Sequence, residues 1–201
     1  AAIAMSDAAS IAGISETVES AQRALDYSVN KHMKPDGGWG DGVDDQADMR
    51  TTAWFILQLK TARFGGLRVP AEAFEQSIVF LDKVDMNPED EETSGGHLYR
   101  HTIDMNQPTA MDTAHGIMAR SRLGWRFDDL RDGVDFIIEK RGMPTRRDDI
   151  DWEYRFISTA VANTEPGESY DREPDLYRQW KQSITDVLKA SQCDEDRKSV
   201  V

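Results

Sequence analysis

Acidic side chains cluster just before the most apolar helix that the sequence predicts. Asp44 and Asp45 are adjacent, with Asp41 and Asp48 close by. A carboxyl group held among other carboxyls in a dry cavity has a raised pKa and can act as an acid, so proton donation by Asp44 and Asp45 is one hypothesis. The alternative, which we favour, is that these aspartates cap and solvate the N-terminus of the helix, where negative charge is favourable.

A second pair of reactive groups lies inside another predicted helix. Asp112 and His115 are three residues apart, so both lie on one face of a helix over 108–123. His97 and His101 are four apart but fall in a predicted loop. Asp and His side chains are zinc ligands, so one interpretation of Asp112 and His115 is a metal site. The alternative, which we favour, is a structural polar pair between packed helices.

Aromatic and arginine side chains supply candidate ligand contacts. Aromatic faces attract cations, and arginine pairs clamp anions such as a diphosphate. The predicted ligand-binding residues are Trp54, Tyr99, Arg100, His115, Trp152 and Tyr154. Three further arginines could also clamp an anion, but the simpler interpretation is that they are solvated at the surface: Arg146, Arg147 and Arg155. Trp39 follows a glycine pair and is interpreted as structural, packed between neighbouring helices.

Composition excludes several classes of function. The 201 residues carry a net charge of −13, which argues against nucleic acid as a partner because nucleic-acid binding needs a basic patch. The single cysteine, Cys193, cannot form an intramolecular disulfide or a cysteine zinc cluster. No apolar run approaches the length of a transmembrane helix. Composition leaves the compartment open between a cytoplasmic and an exported soluble protein.

Apolar residues recur at helical spacing throughout the chain, and no credible strand appears, so the fold class is predicted to be all-α. We expect a flexible N-terminal segment at 1–14 without the basic region of a signal peptide, a helical domain at 15–192 and a polar tail at 193–201. The pattern predicts seven helices, over 15–32, 47–64, 71–84, 108–123, 128–140, 151–163 and 175–192.

The predicted helices alternate between amphipathic and more apolar ones. The second, fourth and sixth share a small-residue pair: Thr52-Ala53, Thr113-Ala114 and Thr159-Ala160. Small pairs permit close packing, so the alternation suggests an inner and an outer layer built from repeated helical hairpins. A plain bundle or solenoid with coincidental glycines is the alternative.

The segment 35–40, PDGGWG, followed by a helix with a Thr-Ala pair, resembles the repeats of prenyltransferase β-subunits and squalene–hopene cyclases. The sequence is most similar to bacterial, often planctomycete, proteins that carry a prenyltransferase or squalene-oxidase repeat. Ala53-Trp54, 66–70, Gly95-Gly96 with Tyr99-Arg100, and 188–192 add to the resemblance, which covers most of 24–192. It implies an α/α toroid, with inner helices lining a cavity. Because the hairpins are fewer than a complete toroid needs, it implies a partial toroid or a homo-oligomer that completes one.

The resemblance implies two functions. The first is a repeat module that binds a ligand or protein at its inner face without catalysis, and this is the interpretation we favour. The second is a terpenoid cyclase or prenyl-transferring enzyme acting on an isoprenoid, with Asp44, Asp45 and Asp112 as catalytic candidates. The cyclase Asp-x-Asp-Asp motif is incomplete here, and the prenyltransferase zinc set lacks an evident third ligand beside Asp112 and His115. No metal or cofactor is therefore predicted.

Overall fold

The computed structural model of the chain consists of helices joined by turns and loops. It describes residues 15–86, 97–125, 127–146 and 175–198. They are α1 Ser15–Tyr27, α2 Met49–Phe64, α3 Ala71–Val84, α4 Ala110–Leu123, α5 Phe127–Arg141 and α6 Asp175–Lys198. Across these ranges the chain has no strand, only isolated bridges between Trp39 and Asp48 and between Asp85 and Tyr99. The all-α prediction is confirmed, and the predicted helix at 151–163 lies outside the described residues.

The ends of the helices follow from local chemistry. Asp48 caps α2 by accepting a hydrogen bond from the Thr51 N–H, and Thr109 caps α4 through the N–H of Asp112. Because Thr109 is extended, α4 begins at Ala110, slightly after its predicted start. Gly124 ends α4 with a left-handed φ of 105°. Helix α6 has no glycine or proline after residue 192, and it continues to Lys198.

The helices pack in a chain of neighbours, with α2 against both α3 and α4, α4 against α5, and α5 against α6. Two of the three predicted small-residue pairs lie in this packing, since Thr52, Ala53, Thr113 and Ala114 are fully buried. The third pair, Thr159-Ala160, lies outside the described residues. The core falls into successive clusters. One joins α1 to α2, a second joins α2 to α3 and α4, and a third joins α4 to α5 and Trp180 of α6.

Helix α1 continues as a single π-helical turn, Ser28–His32. The Met33 N–H donates to the Ser28 carbonyl at 3.1 Å, which closes the wider turn. The same carbonyl accepts a hydrogen bond from the Trp39 indole, so the π turn fixes α1 against the loop that follows. None of the helices in the described ranges is long and apolar enough to cross a bilayer.

Candidate binding surface

The turn before α2 is built around Trp39. Its backbone N–H donates to the Thr52 hydroxyl at 3.0 Å, and its carbonyl accepts from the Asp48 N–H at 2.9 Å. The indole is fully buried, stacks on Phe55 at 5.0 Å between ring centroids, and donates to the Ser28 carbonyl at 2.8 Å. Trp39 therefore holds α1, the turn and α2 together, as the sequence predicts.

The turn before α4 repeats these backbone contacts around Tyr99. The Tyr99 N–H donates to the Thr113 hydroxyl at 3.1 Å, and its carbonyl accepts from the Thr109 N–H at 3.2 Å. The ring is fully buried, and its hydroxyl accepts a hydrogen bond from Arg120 at 2.9 Å. Burial raises the pKa of the Tyr99 hydroxyl, which stays neutral. Tyr99, a predicted ligand contact, is thus enclosed by protein.

The aspartates of the acidic turn bond within the turn and to the first turn of α2. Asp45 accepts from the Gly42 N–H at 2.8 Å, and Asp41 accepts from the Thr51 hydroxyl at 3.0 Å. Asp44 and Asp45 are exposed to solvent. The proton-donor hypothesis requires them to be enclosed in a dry cavity, so their positions do not fit it. In the part of the chain that the structure describes, no group of three or more His, Cys, Asp or Glu side chains is placed to hold a metal ion.

Asp112 lies at the centre of a charged cluster between α2, α4 and the loop before α4. Its fully buried carboxylate accepts hydrogen bonds from Arg50 Nε at 2.8 Å, His101 Nδ1 at 3.0 Å and the Thr109 hydroxyl at 2.5 Å. Burial alone would raise the pKa of Asp112, but the hydrogen bonds from Arg50 and Thr109 and the charge of Arg50 lower it below the usual value. This is the opposite of what a proton donor needs.

His115 lies one helical turn after Met111 and is 5% exposed. Its Nδ1–H donates to the Met111 carbonyl at 2.8 Å. Burial lowers the pKa of His115, so the ring is neutral near pH 7. Arg100 is similarly occupied by the protein, because its guanidinium donates to the carbonyls of Lys83 at 2.6 Å and Met105 at 3.1 Å. The other predicted ligand contacts, Trp152 and Tyr154, lie outside the described residues.

Sequence reasoning missed a buried polar network between α3 and α4. Arg120 is 1% exposed and donates to Asp82 at 2.5 Å, while its guanidinium lies 4.3 Å from the centroid of the Trp125 ring. His97 packs edge-on against Trp125 and bonds to the buried Asp85. An arginine in the last turn of a helix gives no sequence signal of burial, because its partner Asp82 comes from a distant position.

One face of α2 is partly exposed to solvent. This α2 face consists of Arg50, Trp54, Leu57, Thr61 and Phe64, whose spacing places them in one stripe. Trp54 is 44% exposed and Phe64 is 94% exposed. The sequence predicts Trp54 as a ligand contact but gives no role to Phe64, although the same spacing connects the two. An apolar helix predicted to be buried on nearly every side therefore exposes two large rings.

Comparison with known proteins assigns neither a family nor a function to this chain. No family model matches the chain, no curated protein matches it, and no solved structure matches it. Function must be inferred from the described residues.

The Asp112 cluster gives a testable stability effect. Asp112→Asn is expected to lower the free energy of unfolding by roughly 1–3 kcal/mol, because it replaces the buried anion that pairs with Arg50 and His101 by a neutral amide with one acceptor oxygen instead of two. The pKa of Asp112 in the folded chain is below the ordinary value of 3.8, so the unfolded state binds more protons between these two values. The free energy of unfolding therefore falls as the pH is lowered through that interval. Urea unfolding at pH 7 and pH 3 should therefore show a smaller pH effect in the variant.

Asp135→Asn in α5 is the matched control for that experiment. Burial raises the pKa of Asp135, and Arg131 lies 3.9 Å from its carboxylate. Removing this charge is expected to change the free energy of unfolding by less than about 0.5 kcal/mol. Equal losses in the two variants would contradict the role given to Asp112.

Proposed function

We propose that the chain is a helical-hairpin module that binds an apolar partner, a ligand or a protein, on the α2 face without performing catalysis. The observation that carries this is the exposure of Trp54 and Phe64 on one face of a helix that buries Ile56 and Leu59 in the core. Large exposed apolar side chains in a contiguous stripe mark interaction surfaces. Aromatic residues are also the side chains that contribute most at such surfaces.

The matched turns around Trp39 and Tyr99 support the repeated-hairpin part of the proposal. In each turn an aromatic N–H donates to the threonine of a Thr-Ala pair, and the aromatic carbonyl accepts from the helix cap. Helices α2 and α4 pack against each other, and we take them as the inner helices of two such hairpins, with α1 and α3 as the outer ones. A toroid-like arrangement of such hairpins is the architecture we propose.

The state of the carboxylates supports a binding role over an enzymatic one. Asp112 is an ionised partner of Arg50, and Asp44 and Asp45 face solvent. None of the three has the enclosed, proton-holding environment that an acid catalyst requires. The α2 face instead offers two aromatic rings with aliphatic and hydroxyl groups between them, which suits apolar contact.

Binding of the apolar dye bis-ANS tests the proposal. The double variant Trp54→Ser, Phe64→Ser is expected to reduce dye fluorescence by a factor of about two or more, because it removes the exposed rings. Val79→Ser is the matched control, since Val79 is also exposed, at 41%, but lies on α3. Equal dye binding by the wild type and the double variant would overturn the assignment of the α2 face.

A further inference from the structure

We propose that His101 is a site of covalent acylation, at which the Nε2 atom accepts an acyl group from a small, uncharged carbonyl electrophile such as an activated ester or an anhydride. His101 lies in the loop before α4. The inference goes beyond the proposed function and does not depend on it. Three observations carry it: the hydrogen bond that fixes the His101 ring, the exposure of its Nε2 atom, and the contrast with the other three histidines of the chain.

The Asp112 carboxylate fixes the position of the ring proton on His101. Asp112 lies in the first turn of α4, where the helix dipole favours negative charge. Burial raises its pKa, but the hydrogen bonds from Arg50 and Thr109 lower it below the ordinary value, so the carboxylate is ionised near pH 7. An ionised carboxylate only accepts hydrogen bonds, so His101 Nδ1, 3.0 Å from Asp112 Oδ1, carries a proton. The lone pair of the neutral imidazole is then on Nε2.

The Nε2 atom of His101 is accessible to a reagent. The His101 side chain is 31% exposed, and within the described residues its Nε2 has no hydrogen-bond partner. The buried carboxylate behind the ring also stabilises the positive charge that develops on an imidazole when Nε2 attacks a carbonyl carbon. An exposed lone pair that a neighbouring group orients in this way is what a nucleophilic histidine needs.

His32 is the matched comparison within the chain. Its side chain is partly buried, as that of His101 is, and its ring lies edge-on to Phe55. Its Nε2 is 2.9 Å from the Gly40 carbonyl, which can only accept a hydrogen bond, so Nε2 carries the proton. Among the described contacts of the His32 ring there is no carboxylate. His32 therefore lacks both the Nε2 lone pair and the orienting anion.

The two remaining histidines are covered by the protein. His97 also bonds to a carboxylate, that of Asp85, but its side chain is only 14% exposed and its ring packs edge-on against Trp125. His115 is 5% exposed, and its Nδ1–H donates to a backbone carbonyl. A reagent reaches His115 only when α4 separates from its neighbours, so modification of His115 reports unfolding.

The charges around His101 favour an uncharged electrophile. The Gln46 side chain donates to Asp104 at 2.8 Å, which joins the acidic turn before α2 to the loop that carries His101. Asp44, Asp45 and Asp104 are exposed, and the whole chain has a net charge of −13. These charges repel anionic donors such as acyl phosphates, whereas they do not repel uncharged esters and anhydrides.

The step is an acyl transfer that also breaks a contact within the chain. The Nε2 lone pair forms a bond to the carbonyl carbon, and the leaving group departs with the electron pair of its own bond. The ring is a cation until Nδ1 loses its proton to the leaving group or to water. Without this proton His101 no longer donates to Asp112. Acylation is therefore expected to loosen the loop from α4, and also from α2, whose Met49 N–H binds the His101 carbonyl.

Reaction with diethyl pyrocarbonate, an uncharged anhydride, tests the inference. Peptide mass spectrometry after a short exposure measures the rates at all four histidines in one sample. His101 is expected to react fastest, about threefold or more faster than His32, with a modest factor because Arg50 shares the Asp112 carboxylate. A rate at His32 that equals or exceeds the rate at His101 would overturn the inference.

Asp112→Asn tests the part that the carboxylate plays. The variant is expected to slow the reaction at His101 by about threefold and to leave the rate at His97 unchanged. It is compared with the wild type under conditions in which His115 stays unmodified, so a change at His101 does not come from unfolding. Asp85→Asn is the matched control, because it removes the carboxylate beside His97 and should not slow His101. An unchanged His101 rate in Asp112→Asn would contradict the inference.

Urea unfolding of the acylated chain tests the predicted loss of the His101–Asp112 hydrogen bond. The treated wild type is expected to unfold at a lower urea concentration than the untreated chain, and hydroxylamine, which removes the ethoxycarbonyl group from imidazole, should restore the midpoint. His101→Gln should show no comparable change on treatment. If acylation of His101 leaves the midpoint where it was, Nδ1 is not the atom that holds the ring to Asp112, and the inference is wrong.

Discussion

Replacing Trp39 with alanine is expected to lower the free energy of unfolding by roughly 3–5 kcal/mol, the range for deleting a large buried aromatic side chain. The indole is fully buried, and it stacks on Phe55 with the two ring planes 2° apart. The substitution leaves a cavity between α1 and α2 and removes the indole hydrogen bond to the Ser28 carbonyl. Urea unfolding at fixed, low chain concentration measures the loss.

Trp54→Ala is the matched control for Trp39→Ala. Trp54 lies on the same helix as Phe55 but is 44% exposed, so its replacement is expected to cost less than half as much. Similar losses in the two variants would contradict the view that Trp39 is the structural tryptophan and Trp54 the surface one.

Gly37→Ala is expected to destabilise the chain by roughly 2–5 kcal/mol, since it combines an unfavourable backbone conformation with a steric clash. Gly37 has a φ of +99°, and a Cβ at this position would lie 1.9 Å from the carbonyl oxygen of Gln76 in α3. The clash is with backbone, so α3 would have to move away from the turn. Thermal and urea unfolding both report this loss.

Gly66→Ala separates the two contributions to that loss. Gly66 also has a positive φ, +81°, but a Cβ there meets nothing within 4 Å. Its replacement is expected to lower the free energy of unfolding by roughly 1–2 kcal/mol, because only the unfavourable positive φ contributes. If both alanine variants lose the same free energy of unfolding, then the steric clash between residue 37 and α3 contributes little to the loss in Gly37→Ala.

The sequence predicts the helices well because their signals are local. Apolar residues such as Phe80, Leu81 and Val84 recur at helical spacing, and they are fully buried in α3. Gly124 and the cap at Thr109 mark the ends of α4 for similarly local reasons. The resemblance to toroid repeats, with the isoprenoid chemistry it implies, remains a prediction.

The candidate site was harder to predict because exposure depends on neighbouring helices. Trp54 and His115 each lie two residues after the threonine of a Thr-Ala pair, yet Trp54 is 44% exposed and His115 is 5% exposed. Both helices have two neighbours, α3 and α4 for α2, and α2 and α5 for α4. The side of the helix that a neighbour covers, and not the number of neighbours, therefore decides which residue is exposed. The ionisation of Asp112 likewise depends on Arg50, 62 positions away, which no local pattern reveals.

The loop before α4 also completes α2. The Met49 N–H, one of the first-turn donors that an α-helix leaves without an internal partner, donates to the His101 carbonyl at 2.8 Å, and Arg50 bonds to Asp112. A fragment that ends at Val84 therefore lacks two of the groups that complete the start of α2. Cutting the chain between the two hairpins removes contacts from the first hairpin as well as from the second.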